Sequence, residues 1–82
     1  MNNNQKAVSK IQEALKAGRI LRAYNQLDHE DTTVGPYTEA VDRGFRFAVI
    51  GRTHLEFRTA QEAACSFVAR VGSTRAREAA RG

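Results

Sequence analysis

The chain has 82 residues, 41% of them apolar and 27% charged, with a formal net charge of +4. A chain this short builds one core and buries only about 60% of the surface its unfolded form exposes, yet it is too apolar for a disordered polymer. A single cysteine forbids an internal disulfide and no stretch reaches the roughly 18 consecutive apolar residues of a membrane span, so the expectation is a cytoplasmic protein in a reducing compartment with no membrane partner.

The charge is segregated. Residues 1–27 carry five basic groups and one acid, residues 28–42 five acids and no base, and residues 43–82 eight bases and three acids. An acidic band centred on "DHED" therefore interrupts two basic segments, unlike the single basic face expected of a nucleic-acid binder, unless folding separates them.

In chain order, Val8, Ile11 and Leu15, flanked by Ala7 and Ala14, form a narrow apolar stripe that predicts a helix capped by Asn4 and stopped at Gly18. Ile20, Ala23, Tyr24 and Leu27 repeat the helical spacing in a rotated direction, which predicts a short second helix over 19–27, with a strand as the alternative. "DHEDTTVG", residues 28–35, has the composition of a loop. Pro36 to Arg43 reads either as a short helix or as a strand turned by Asp42-Arg43-Gly44, which would set Val41 opposite Phe45 and Tyr37 opposite Val49; the strand is favoured.

Phe45, Phe47 and Val49 alternate with Arg46 and Ala48, and Leu55 and Phe57 do the same in the next strand. Pairing Phe47 with Leu55 sets Arg46 opposite Glu56, whereas pairing Phe47 with Phe57 sets Arg46 against Arg58. The first is preferred by about 0.5 kcal/mol. The period then changes at Thr59. Thr59-Ala60-Gln61-Glu62 has the form of a capping box, after which Ala60, Ala63, Ala64, Phe67, Val68 and Val71 hold helical spacing without a break. The four phenylalanines with Leu55 and Val49 are the expected core, and "STRAREAARG" the expected basic tail.

The predicted fold is thus α+β: an antiparallel β-hairpin or three-stranded β-meander packed against an N-terminal and a C-terminal helix, in the order α-(α)-β-β-β-α. Residues 1–4 are read as a flexible terminus, 5–72 as one domain, and 73–82 as a basic tail, disordered or a frayed helix.

His54 and Cys65 suggest a thiol and imidazole pair, but the two project to different sides of the strand-to-helix junction. Asp28, His29, Glu30 and Asp31 offer oxygen and nitrogen ligands, although consecutive residues rarely converge on one ion. The glycines sit singly at element boundaries and form no phosphate-cradling loop. The expectation is a non-enzymatic protein without cofactor or metal.

The polar sheet face, bearing Arg46, His54, Glu56 and Arg58 with Ala48, is the expected site for a protein partner, with a homodimer as one form of it. Size and composition suit a bacterial, phage or mobile-element regulator or inhibitor. The alternative is a nucleic-acid-binding protein for duplex RNA or DNA, using Lys6, Lys10, Lys16, Arg52, Arg70, Arg75 and Arg77. Its order of elements is similar to that of double-stranded-RNA-binding domains over some 65 residues, and "VSKIQEAL" resembles their first helix. That resemblance implies binding to duplex RNA. Where the family places a lysine cluster at the start of its last helix, this chain reads "RTAQEAA" with Glu62, and it offers no exposed aromatics for stacking on single-stranded bases.

Overall fold

The computed structural model describes residues 2–82. Helix α1 (Asn3–Lys16) leads into four strands, β1 (Leu21–Asn25), β2 (Glu30–Pro36), β3 (Phe47–Ile50) and β4 (His54–Phe57), followed by α2 (Ala60–Val71) and α3 (Ser73–Arg81). A single 3-10 turn, Val41–Arg43, lies between β2 and β3. The strands form one antiparallel meander in sequence order, with the helices packed on one face. The fold is α+β, with one strand more than predicted, and with the third helix at the C-terminus rather than after α1.

Helix α2 carries the core because its stripe pairs small residues with one large one. Ala60, Ala63 and Ala64 let the helix approach the sheet, Phe67 fills the space beyond them, and all six stripe residues are buried. The helix touches all four strands, while α1 lies across α2 and α3 and reaches only β2. From the sheet, Leu21, Val34 and Val49 enter the same cluster, with Phe47 and Phe57 packed partly against it. Thr59 caps α2 as expected, its Oγ1 accepting from the Glu62 N–H at 3.1 Å. The Glu62 carboxylate, however, accepts from the Thr59 hydroxyl at 3.0 Å.

Helix α1 begins one turn's fraction earlier than predicted. Asn2, rather than Asn4, is the cap, with Gln5 returning the bond to the Asn2 N–H. The reading of residues 1–4 as a flexible terminus includes Met1, which lies outside the described residues; from Asn3 the chain is helical.

Residues 19–27, predicted as a helix, hold strand β1. Helical spacing of Ile20, Ala23, Tyr24 and Leu27 was a coincidence of composition: Ile20 and Leu27 are 70% and 84% exposed, while Leu21 is buried at 3%. Pairing with β2 along the whole element overrides the weak local preference. The segment 28–35, predicted as a loop, supplies that partner, since Thr32, Thr33 and Val34 are β-branched and suit a central strand. Only residues 26–29 turn, and buried Asn25 organises them, accepting from the Leu27 N–H at 3.0 Å and donating to Asp28 Oδ2 at 3.2 Å.

The strand expected at 36–43 is also absent from the sheet; β3 pairs with β2 instead, Val49 opposite Val34 and Phe47 opposite Pro36. Tyr37 N–H still donates to Arg46 O at 2.9 Å, and the chain between them loops out through the 3-10 turn, closed by Gly44 at φ 91°. Neither Val41 opposite Phe45 nor Tyr37 opposite Val49 occurs.

Strands β3 and β4 adopt the register that was disfavoured, Phe47 opposite Phe57 and Val49 opposite Leu55, across a link of residues 51–53. The expected repulsion between Arg46 and Arg58 is avoided because each finds a separate partner in the loop. Arg46 Nη1 donates to Val41 O at 3.1 Å, and Arg58 lies 4.7 Å from the centre of the Phe45 ring and donates to Arg43 O at 3.3 Å. Phe45, expected in the core, is instead a half-buried platform for Arg58.

Residues 73–82, read as a tail, contain α3. Ala76 is fully buried and Ala79 and Ala80 pack against the core. Arg19 Nη1 donates to Ala80 O at 2.7 Å, closing the end of α3 against the α1–β1 link.

Candidate interaction surface

Side chains alternate across a strand, so the row that buries Leu21, Val34 and Val49 under the helices, continued by the half-buried Leu55, turns its neighbours to the opposite face. That outer face carries Arg22, Thr33, Ile50 and His54 in one row, Gly35, Ala48 and Glu56 in the next, and Tyr24 beside Asp31 towards the β1–β2 turn. It was expected to be polar. Ile20, Tyr24 and Ile50 are instead large apolar side chains left exposed on it.

The loop 37–46 folds over one end of this face. Ala40 in the loop and Ala48 on the sheet are both buried yet lie outside the main core cluster. Arg43 reaches Glu56 at 3.4 Å, and His54 Nε2 lies 3.7 Å from the other Glu56 oxygen. The Tyr37 ring meets His54 edge-on, 5.2 Å between centroids at 74°, and its hydroxyl donates to Glu39 Oε2 at 3.3 Å. Partial burial pushes the Tyr37 phenol above its ordinary 10.0, and the carboxylates of Glu39 and Glu56 add to the rise. The phenol is held as a neutral donor between two acids.

The four residues predicted for a protein partner thus divide. His54 and Glu56 come together with Tyr37 and Arg43, whereas Arg46 and Arg58 are engaged in fastening the loop. Sequence reasoning missed Ile20, Arg22, Tyr24 and Thr33 because their segments were assigned to other elements. Ile50 was within reach, since it lies two residues beyond Ala48 on the same strand face.

The acidic run is dispersed. Asp31 pairs with Arg22 and Glu30 with Arg52, each at 3.7 Å, while Asp28 bonds to Asn25 and His29 Nδ1 to the Tyr24 hydroxyl at 3.3 Å. Cys65 is exposed on α2 in a groove shared with α1, and His54 lies on the outer sheet face, so the thiol and imidazole do not meet.

The residues predicted for nucleic acid are spread over several surfaces. Lys6, Lys10 and Arg77 converge where α1 meets α3. Lys16 borders an apolar groove with Pro36, Val41 and Phe47, and Arg52 sits at the β3–β4 tip, donating to Asp28 O at 3.3 Å. Arg70 donates to Ser66 Oγ on its own helix at 3.4 Å, and Arg75 lines a groove between α3 and β1.

No family model, curated protein or solved structure matches the chain. No helix among the described residues is long and apolar enough to cross a membrane.

Proposed function

We propose that the chain is a non-enzymatic binding protein that acts by covering a surface of another protein with the outer face of its sheet. The observation that carries this reading is the exposure of Ile20, Tyr24 and Ile50 on one sheet face, surrounded by Arg22, Asp31, His54 and Glu56. Exposed apolar side chains rimmed by charge are the usual composition of a protein-binding patch, where the apolar centre supplies affinity and the rim supplies orientation. The charges there are of both signs and paired, Arg22 with Asp31 and Arg43 with Glu56, which favours a partner of mixed charge over a polyanion.

A second copy of the chain is one such partner, and the reducing cytoplasm inferred from the single cysteine is its setting. In that role the protein works as a regulator or inhibitor, by occupying the surface it binds. Light scattering of the purified chain establishes self-association. A partner captured from lysate is then purified and its affinity measured calorimetrically for the wild type and for an Ile20→Asp, Ile50→Asp variant. At least a tenfold loss is expected with the circular dichroism unchanged; equal affinity overturns the reading.

A further inference from the structure

Charge is distributed very differently on the opposite side of the molecule. Lys6, Lys10, Arg77 and Arg81 line two adjoining grooves of about 260 and 190 Å³ between α1 and α3, and Lys10 and Arg77 border both. Among the described residues Glu13, in the second groove, is the one acid lining them. The ion pairs among the described residues involve other side chains, Arg22 with Asp31, Arg43 with Glu56, Arg52 with Glu30 and His54 with Glu56. Four cations brought to one place by two helices repel one another and gain from a shared anion.

A third groove of about 420 Å³ runs along the other flank of α1, and its lining includes the amides of Asn4, Gln5, Gln12 and Gln61. Ser9 borders this groove and the cationic one, so α1 is a ridge with amides on one side and cations on the other. Within α1 no acid precedes Glu13. Lys6 and Lys10 stand one turn apart, about 6 Å along the axis, which suits successive charges on a polymer more than a single small anion. Among the described residues the large exposed apolar side chains lie elsewhere, at Ile20, Tyr24, Leu27, Val41 and Ile50, so none of them is placed to insert into a lipid surface from this side.

We infer that the α1–α3 face binds the phosphate backbone of a nucleic-acid duplex, with Lys6, Lys10, Arg77 and Arg81 on phosphates and the α1 amides on adjacent sugar or base edges. Cations fix position on a duplex and amides have both the donor and the acceptor that base edges require. The surface is separate from the outer sheet face, so either can fail without the other.

The test is fluorescence anisotropy with duplex DNA and duplex RNA of one sequence across a salt series. Four phosphate contacts give a slope of log affinity against log salt of about −3.5, or roughly a hundredfold loss between about 50 and 200 mM. A Lys10→Gln, Arg77→Gln variant, folded by circular dichroism, is expected to flatten that slope by about 2. An Arg22→Gln, Arg52→Gln variant, which removes the same charge from the sheet face and the β3–β4 tip, is expected to keep it. Preference for one of the two duplexes identifies the polymer and supports the inference. It is overturned by lack of binding at the lowest salt, by equal losses in both variants, or by a Lys10- and Arg77-dependent preference for phosphatidylserine vesicles over either duplex.

Discussion

Ile20 lies across the backbone of Gly35, so close that a Cβ built on the glycine would stand 2.9 Å from Ile20 Cγ1. The contact ties the first residue of the β1 entry to the middle strand of the outer face. Gly35→Ala is therefore expected to lower stability by about 1–3 kcal/mol, although a glycine replaced in a compatible strand normally gains. Adding Ile20→Ala removes the crowding atom, and most of the loss should return. Urea denaturation of the four proteins in the cycle measures the coupling.

Thr59 is the hinge between the two periodicities of the chain, and its hydroxyl is engaged twice, accepting from the Glu62 amide and donating to the Glu62 carboxylate. Thr59→Ala should cost about 1 kcal/mol, read as a fall in the urea midpoint at constant slope. Thr59→Ser keeps the hydroxyl and should restore most of it.

Tyr37 makes stability depend on pH at the alkaline end. Its phenol titrates above the ordinary 10.0 because partial burial, then Glu39 and Glu56, disfavour the phenolate in the folded state. The unfolded chain loses that proton first, so the neutral phenol's contribution is complete below pH about 10 and is lost as pH rises through the raised native value. Phenolate absorbance should show a late-titrating component that Tyr37→Phe abolishes, together with a flatter alkaline limb in thermal unfolding.

Phe67 is the largest fully buried side chain, set among the alanines that bring α2 onto the sheet. Phe67→Ala should cost about 3–5 kcal/mol, a large part of what a domain of this size has, about 4–12 kcal/mol. Loss of a cooperative thermal transition is the expected result, and Phe67→Leu should retain one.

Glu56 is shared between Arg43 and His54 and its side chain is 23% exposed. Glu56→Gln should change stability by no more than about 1 kcal/mol. If the outer face is the protein-binding surface, the same variant weakens the complex while leaving duplex binding at α1 and α3 unchanged, and calorimetry with each ligand separates the two effects.

The class of the fold, the α2 stripe and the Thr59 cap could be read directly from the residues, because each depends on spacing within one element and on bonds that close over three or four residues. The same holds for α1 and for the alternation of Phe47 and Val49. What only the tertiary structure decided was non-local. Ile20 to Leu27 fit a helix by spacing, yet Leu21–Asn25 became β1 because β2 offered a full ladder; "DHEDTTVG" has the composition of a turn, yet its residues 30–35 became part of a central strand because Val34 and Thr32 could be buried under α2. The register of β3 and β4 was settled by partners outside the hairpin, as the loop 41–45 gave Arg46 and Arg58 separate places and removed the repulsion that local counting had charged against Phe47 opposite Phe57. The surfaces follow the same rule. His54 and Glu56 could be placed on one face from their own strand, but Ile20 and Tyr24 joined that face, and Lys10 met Arg77, only when distant segments packed together.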